Sequence, residues 1–114
     1  MAGIRFKDVP KFDGSNYVLW SKRMTTYLIS PEFDIWTSVL DGYKPPEHRP
    51  ISSGEVEACE SNATAMNAIL TGLSETEFYK VMNFTSAKEI WDELAIAYQE
   101  DTKVQKSKLQ TFKA

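Results

Sequence analysis

Three times in this chain a serine is followed three positions later by a glutamate: Ser52 with Glu55, Ser74 with Glu77, and Ser86 with Glu89. Each pair stands just ahead of apolar residues spaced for one face of a helix. The serine hydroxyl accepts an N–H of the first turn, and the glutamate reaches back to the serine's own N–H. Together they satisfy donors that a helix start otherwise leaves open. Three such starts between Ser52 and Glu89 of a short chain leave room for little besides short helices and tight turns.

The stripes behind these starts support that reading. Cys59, Ala63, Met66, Ile69, Leu70 and Leu73 form the expected apolar side of a helix that runs to about Thr71, with Gly72 as its stop. After Ser74, the residues Phe78, Val81 and Met82 are expected to face inward. The clearest amphipathic segment follows Ser86, with Ala87, Ile90, Trp91, Leu94 and Tyr98 on one face. Lys88, Asp92, Glu93 and Gln99 lie opposite or flanking.

Upstream, the spacing of Tyr17, Trp20, Met24, Tyr27 and Leu28 predicts a helix from about Asn16 to Ile29, capped by Ser15 or Asn16. Ser30, Pro31 and Glu32 read as the start of a second, short helix: a cap, a first-turn proline and an acid at the positive end of the dipole. Its expected buried stripe is Phe33, Trp36, Val39 and Leu40, ended by Gly42. Pro45, Pro46 and Pro50 make the stretch from Tyr43 to Ser53 an extended loop. The chain before Gly14 reads as an extended arm held down by Phe6, Val9 and Phe12. At the other end, Asp101 or Thr102 caps a last helix bearing Val104, Leu109 and Phe112. That helix carries no terminating Gly or Pro before Ala114 and is expected to continue in a longer polypeptide.

The expected fold is therefore all-α, a compact bundle or array of five to six helices with an extended N-terminal arm. Its parts are the arm (1–14), the helical domain (15–100) and the terminal helix (101–114). At 114 residues, 42% of them hydrophobic, the chain suffices for one core and not for two. Tyr17, Trp20, Trp36, Ile90, Trp91, Leu94 and Tyr98 are its expected structural centre.

No pattern for catalysis emerges. The single histidine, His48, lies in the proline loop beside Arg49, and the single cysteine, Cys59, falls on the expected inner side of a helix. A free cysteine so placed behaves as a small hydrophobe. Glu55, Glu57 and Glu60 suit the early turns of a helix, where the dipole favours acids. With one cysteine there is neither an internal disulfide nor a cysteine-based zinc site. The expectation is a protein that is not an enzyme, with no catalytic residue, cofactor or metal.

The net charge of -3 and pI near 5.1 argue against direct nucleic-acid binding. Only Lys103, Lys106, Lys108 and Lys113 keep that possibility open. No apolar run is long enough to cross a membrane, so no membrane role is expected.

The residues also carry a resemblance. The run from Phe12 through Gly14 and Tyr17 to Trp20, followed by Met24 and Leu28 and then Trp36, Val39 and Gly42, resembles the opening of plant copia-type LTR retrotransposon Gag. The run Asn62, Ala63, Ala65, Met66, Asn67, Ala68 and Ile69 is similar to the helix after that family's variable loop. Thr85 to Asp92 with Leu94 and Tyr98, and then Val104 with Lys108 and Leu109, is similar to a third stretch.

The resemblance implies the N-terminal part of a capsid, with a fold like that of retroviral capsid N-terminal domains. It implies a cytoplasmic polyprotein that assembles with copies of itself into virus-like particles around the element's RNA. In such proteins a second capsid lobe and an RNA-binding zinc knuckle lie downstream. RNA contact is thus expected only through a region outside this chain. The expected assembly or partner surface is Lys22, Arg23 and Thr26 on the first helix with Pro46, His48 and Arg49 in the proline loop. The alternative is a host adaptor module derived from Gag, docking a partner protein through the same loop or an interhelical groove.

Overall fold

The computed structural model describes residues 8–98. They form an all-α fold of five helices: α1 (Tyr17–Ile29), α2 (Phe33–Asp41), α3 (Ser53–Gly72), α4 (Glu75–Val81) and α5 (87–98). The expected segments before residue 8, with Ile4 and Phe6, and after residue 98, with Val104, Leu109 and Phe112, lie outside the described residues. Among the described residues no helix is long and apolar enough to cross a membrane.

The arm is fastened by its backbone. Phe12 donates its N–H to the Gly72 carbonyl at 2.8 Å, and Ser74 donates to the Phe12 carbonyl at 2.9 Å. This isolated parallel bridge places the arm across the α3–α4 junction. Val9 and Phe12 are buried there. Gly72, expected only as a helix stop, is the last residue of α3, and Pro10 explains why it is glycine. A Cβ at this position would stand 2.3 Å from the Pro10 carbonyl oxygen.

The start of α1 departs from expectation. Ser15 turns back instead of capping, giving its N–H (3.0 Å) and its hydroxyl (2.6 Å) to Asp13 Oδ1. Asn16 sits in the left-handed region at φ 53° and makes no side-chain cap. Asparagine tolerates that region better than most residues, so the chain reverses here by an Asx turn and a left-handed step. Similarly, Ser30, Pro31 and Glu32 form a turn rather than a helix start. Glu32 is the extended N-cap of α2, again without a side-chain bond.

The three Ser/Glu pairs behave unequally. Ser52 and Glu55 form the complete box, with Ser52 Oγ accepting from the Glu55 N–H at 3.2 Å and Glu55 Oε1 accepting from the Ser52 N–H at 3.1 Å. At Ser86 the hydroxyl accepts the Glu89 N–H (3.2 Å) and donates to the Glu89 carboxylate (3.0 Å). At Ser74 only the serine half forms, because Glu77 is buried and turned toward Tyr98 and Lys80.

Two expected faces are rotated, those of α2 and α3. In α2, Ile35 and Val39 are buried, while Phe33 and Leu40 are 63% and 52% exposed. The apolar arc of α2, from Ile35 and Val39 through Trp36 to Leu40 and Phe33, is wider than its neighbours α1 and α3 cover, so packing chooses which part of it is buried. In α3, Asn62, Ala65, Ala68 and Ile69 are buried, whereas Ala63 is exposed and Cys59, Met66 and Leu70 lie at the margin. Small side chains let the neighbouring helices approach, and the longer ones fill the flanks. Phe78 and Val81 of α4 face the core as expected, while Met82, the residue that caps the helix, is exposed.

Candidate functional site

The aromatic residues of the expected centre form one connected set. Phe12 stacks on Trp20 at a centroid distance of 4.8 Å; Trp20 meets Trp91 at 5.4 Å, and Trp91 meets Trp36 edge-on at 5.4 Å. On the other side, Phe12 abuts Tyr98 edge-on at 5.0 Å and Tyr98 stacks on Tyr17 at 5.8 Å. The rings thus tie the arm, α1, α2 and α5 together, geometries that add to simple burial. Trp20, Ile90 and Leu94 are buried, whereas Tyr17, Trp36, Trp91 and Tyr98 are half-buried. Trp20 Nε1 donates to the Pro10 carbonyl at 3.3 Å.

The buried carboxylate of Glu77 accepts a hydrogen bond from the Tyr98 hydroxyl at 2.5 Å and one from Lys80 Nζ at 3.0 Å. Burial, then the Glu77 bond, pushes the Tyr98 phenol above its usual range. Glu77 likewise holds the Lys80 ammonium above its usual range. Gly14, at φ +97°, leaves room for this group: a Cβ there would meet Glu77 Oε2 at 3.1 Å and Tyr98 Oη at 3.2 Å. The arrangement closes on itself and fastens α4 to α5 beneath the arm turn. Among the described residues no buried side-chain nitrogen or oxygen lacks a partner, and no three His, Cys, Asp or Glu residues are grouped to hold a metal.

In the proline loop, exposed His48 sets Nε2 3.3 Å from Glu55 Oε2, tying the loop to the α3 cap. The Ser52 and Ile51 N–H groups, with smaller help from the Ser52 and His48 side chains, hold Glu55 below the usual carboxylate range. Cys59 is half-buried and lies against Tyr43, whose phenol is pushed up by lost solvent and by the contact with that thiol. Arg49 is exposed and Pro46 half-exposed in the same loop.

Lys22, Arg23 and Thr26 are all exposed on α1. With them lie Val18, Leu19 and Ile29, which are 51%, 44% and 38% exposed. Helical spacing makes these residues one continuous outer face. No acidic residue occurs in α1. The outer face of α2 was not anticipated: Phe33, Thr37 and Leu40 run alongside Asp34 and Asp41, and α2 contains no basic residue. Asp34 and Asp41 also line a groove of about 300 Å³ between α2 and α3, together with Glu57 of α3. The sequence signal was the seven-residue repeat of both the aspartates and the apolar pair Phe33 and Leu40, which places each pair on one side of the helix.

These features define an all-α domain with a filled aromatic centre and outer faces of opposite charge. Residues 24–113 match the family described as gag-polypeptide of LTR copia-type, and the chain belongs to that family. The family is structural rather than catalytic. The match takes in Trp36, the middle of α3 and the stretch from Thr85 to Leu94, and begins after the Phe12–Trp20 run. No curated protein and no solved structure matches the chain.

Proposed function

We propose that this domain is a shell-forming unit of a copia-type Gag, associating with copies of itself in the cytoplasm to build particles that enclose the element's RNA. On this reading it contacts RNA only indirectly, through a downstream region of the polyprotein. The observation that carries it is membership of the Gag family over most of the chain. The core supports it: aromatic side chains pack in and around the interior, and among the described residues no buried side-chain nitrogen or oxygen lacks a partner. What remains for function is the surface. Weak self-association of an isolated lobe is the expected behaviour, because a shell multiplies each small contact many times.

Sedimentation velocity over a wide concentration range, followed by negative-stain microscopy of the concentrated protein, tests this. Reversible association and rings, sheets or particles are expected. A strict monomer at the highest attainable concentration would remove the reading.

A further inference from the structure

The outer faces of α1 and α2 each mix exposed apolar side chains with charges of a single sign, basic on α1 and acidic on α2. On α1, Val18, Leu19 and Ile29 lie exposed among Lys22 and Arg23; on α2, Phe33 and Leu40 lie exposed beside Asp34 and Asp41. Among the described residues none of these four charges is engaged in an ion pair, although other acids and bases of the domain are. Leaving side chains as large as Phe33 and Leu40 half-exposed or more on one short helix is unfavourable unless something covers them.

We propose that copies of this chain associate by setting the basic apolar α1 face of one copy against the acidic apolar α2 face of another. This inference rests on the shell reading and names its contact. Charge complementarity selects the occupant. Two α1 faces would bring Lys22 and Arg23 against their own kind, and two α2 faces would do the same with Asp34 and Asp41. The pairing of α1 with α2 cancels both. Glu57, beside the aspartates in the α2–α3 groove, extends the acidic side. Opposed charges of this kind set register and partner choice, while the apolar residues supply contact area.

A charge swap tests the pairing. One variant carries Lys22→Glu with Arg23→Glu; a second carries Asp34→Lys with Asp41→Lys; a third carries all four changes. All substitutions are on exposed positions, so each variant should melt as the parent does. Sedimentation should show self-association weakened about tenfold or more in the first and second variants, where like charges now face each other. It should be restored in their equimolar mixture and in the third variant. Raising salt to about 1 M, where the screening length falls to about 3 Å, should weaken the parent and relieve the single-face variants.

Association of the first two variants equal to that of the parent overturns this contact and leaves the shell reading standing. A parent that never associates overturns both. If reversing Lys22 and Arg23 instead abolishes salt-dependent binding of a single-stranded RNA probe while self-association is unchanged, the α1 face serves nucleic acid and the pairing is wrong.

Discussion

Asn62 Oδ1 accepts the backbone N–H of Ala87 at 2.8 Å, so a side chain from the middle of α3 completes the first turn of α5. The amide nitrogen of Asn62 reaches the Thr85 carbonyl and Met66 Sδ, which satisfies the rest of a group that is 5% exposed. Asn62→Ala should leave the Ala87 N–H buried without a partner, a loss of roughly 1–3 kcal/mol. Urea unfolding should show a lower midpoint with an unchanged slope. An unaltered midpoint would mean that water replaces the amide and that the α3–α5 link carries little.

Gly72 is expected to tolerate no side chain. The clashing atom is the Pro10 carbonyl, a backbone group that cannot swing aside as a long side chain would. Gly72→Ala should cost about 1–3 kcal/mol, as overpacking does elsewhere. Hydrogen exchange gives a sharper readout. The amides of Phe12 and Ser74, which hold the arm to the α3–α4 junction, should lose protection before those of α1. Exchange rates equal to the parent's at both amides would show that the arm adapts without loosening.

The tryptophans should rank by burial rather than by position in the ring set. Trp20 is 3% exposed and bonded to Pro10, so Trp20→Ala should remove roughly 3–5 kcal/mol, close to the whole stability of a domain this small. Trp91 touches both Trp20 and Trp36 but is only half-buried, so its replacement should cost less. Chemical unfolding of the two variants decides the order. A greater loss at Trp91 would assign the ring-to-ring contacts more weight than burial.

Stability should fall at both ends of the pH scale, for different groups. Tyr98 and Lys80 hold their protons to higher pH when folded than when unfolded. Their contribution is complete below about pH 10 and drains away as pH rises through the folded values. Glu55 is shifted the other way, so its contribution is present above about pH 4.3 and is lost as pH falls through the depressed value. Melting temperature should therefore be flat between these limits. Tyr98→Phe should make the alkaline limb shallower and lower the plateau, since Glu77 loses a donor in a buried site. An alkaline limb as steep as the parent's would exclude Tyr98 as a contributor.

What could be read from the chain were relationships confined to a few neighbouring residues. The Ser52–Glu55 box, the stop at Gly42 and the α5 stripe of Ala87, Ile90 and Leu94 are set by spacings of three or four positions, and periodicity records them directly. The same holds for the all-α fold, because every strong local signal agreed with it. The lysine and arginine of the α1 surface were legible too, as polar residues opposite an apolar stripe.

Tertiary packing decided the rest. Which side of α2 is buried, and hence that Phe33 and Leu40 face outward beside Asp34 and Asp41, depends on where α1 and α3 lie. The role of Asn62 depends on a backbone group 25 positions away, and the need for glycine at 72 on the path of the arm past it. Glu77 reads as half of a capping box, yet burial beside Tyr98, 21 positions on, gives it a different partner. A local pattern states what a residue is able to satisfy nearby; only the folded chain brings up the distant group that competes for it, and the competitor wins where burial makes an unpaired polar atom costly.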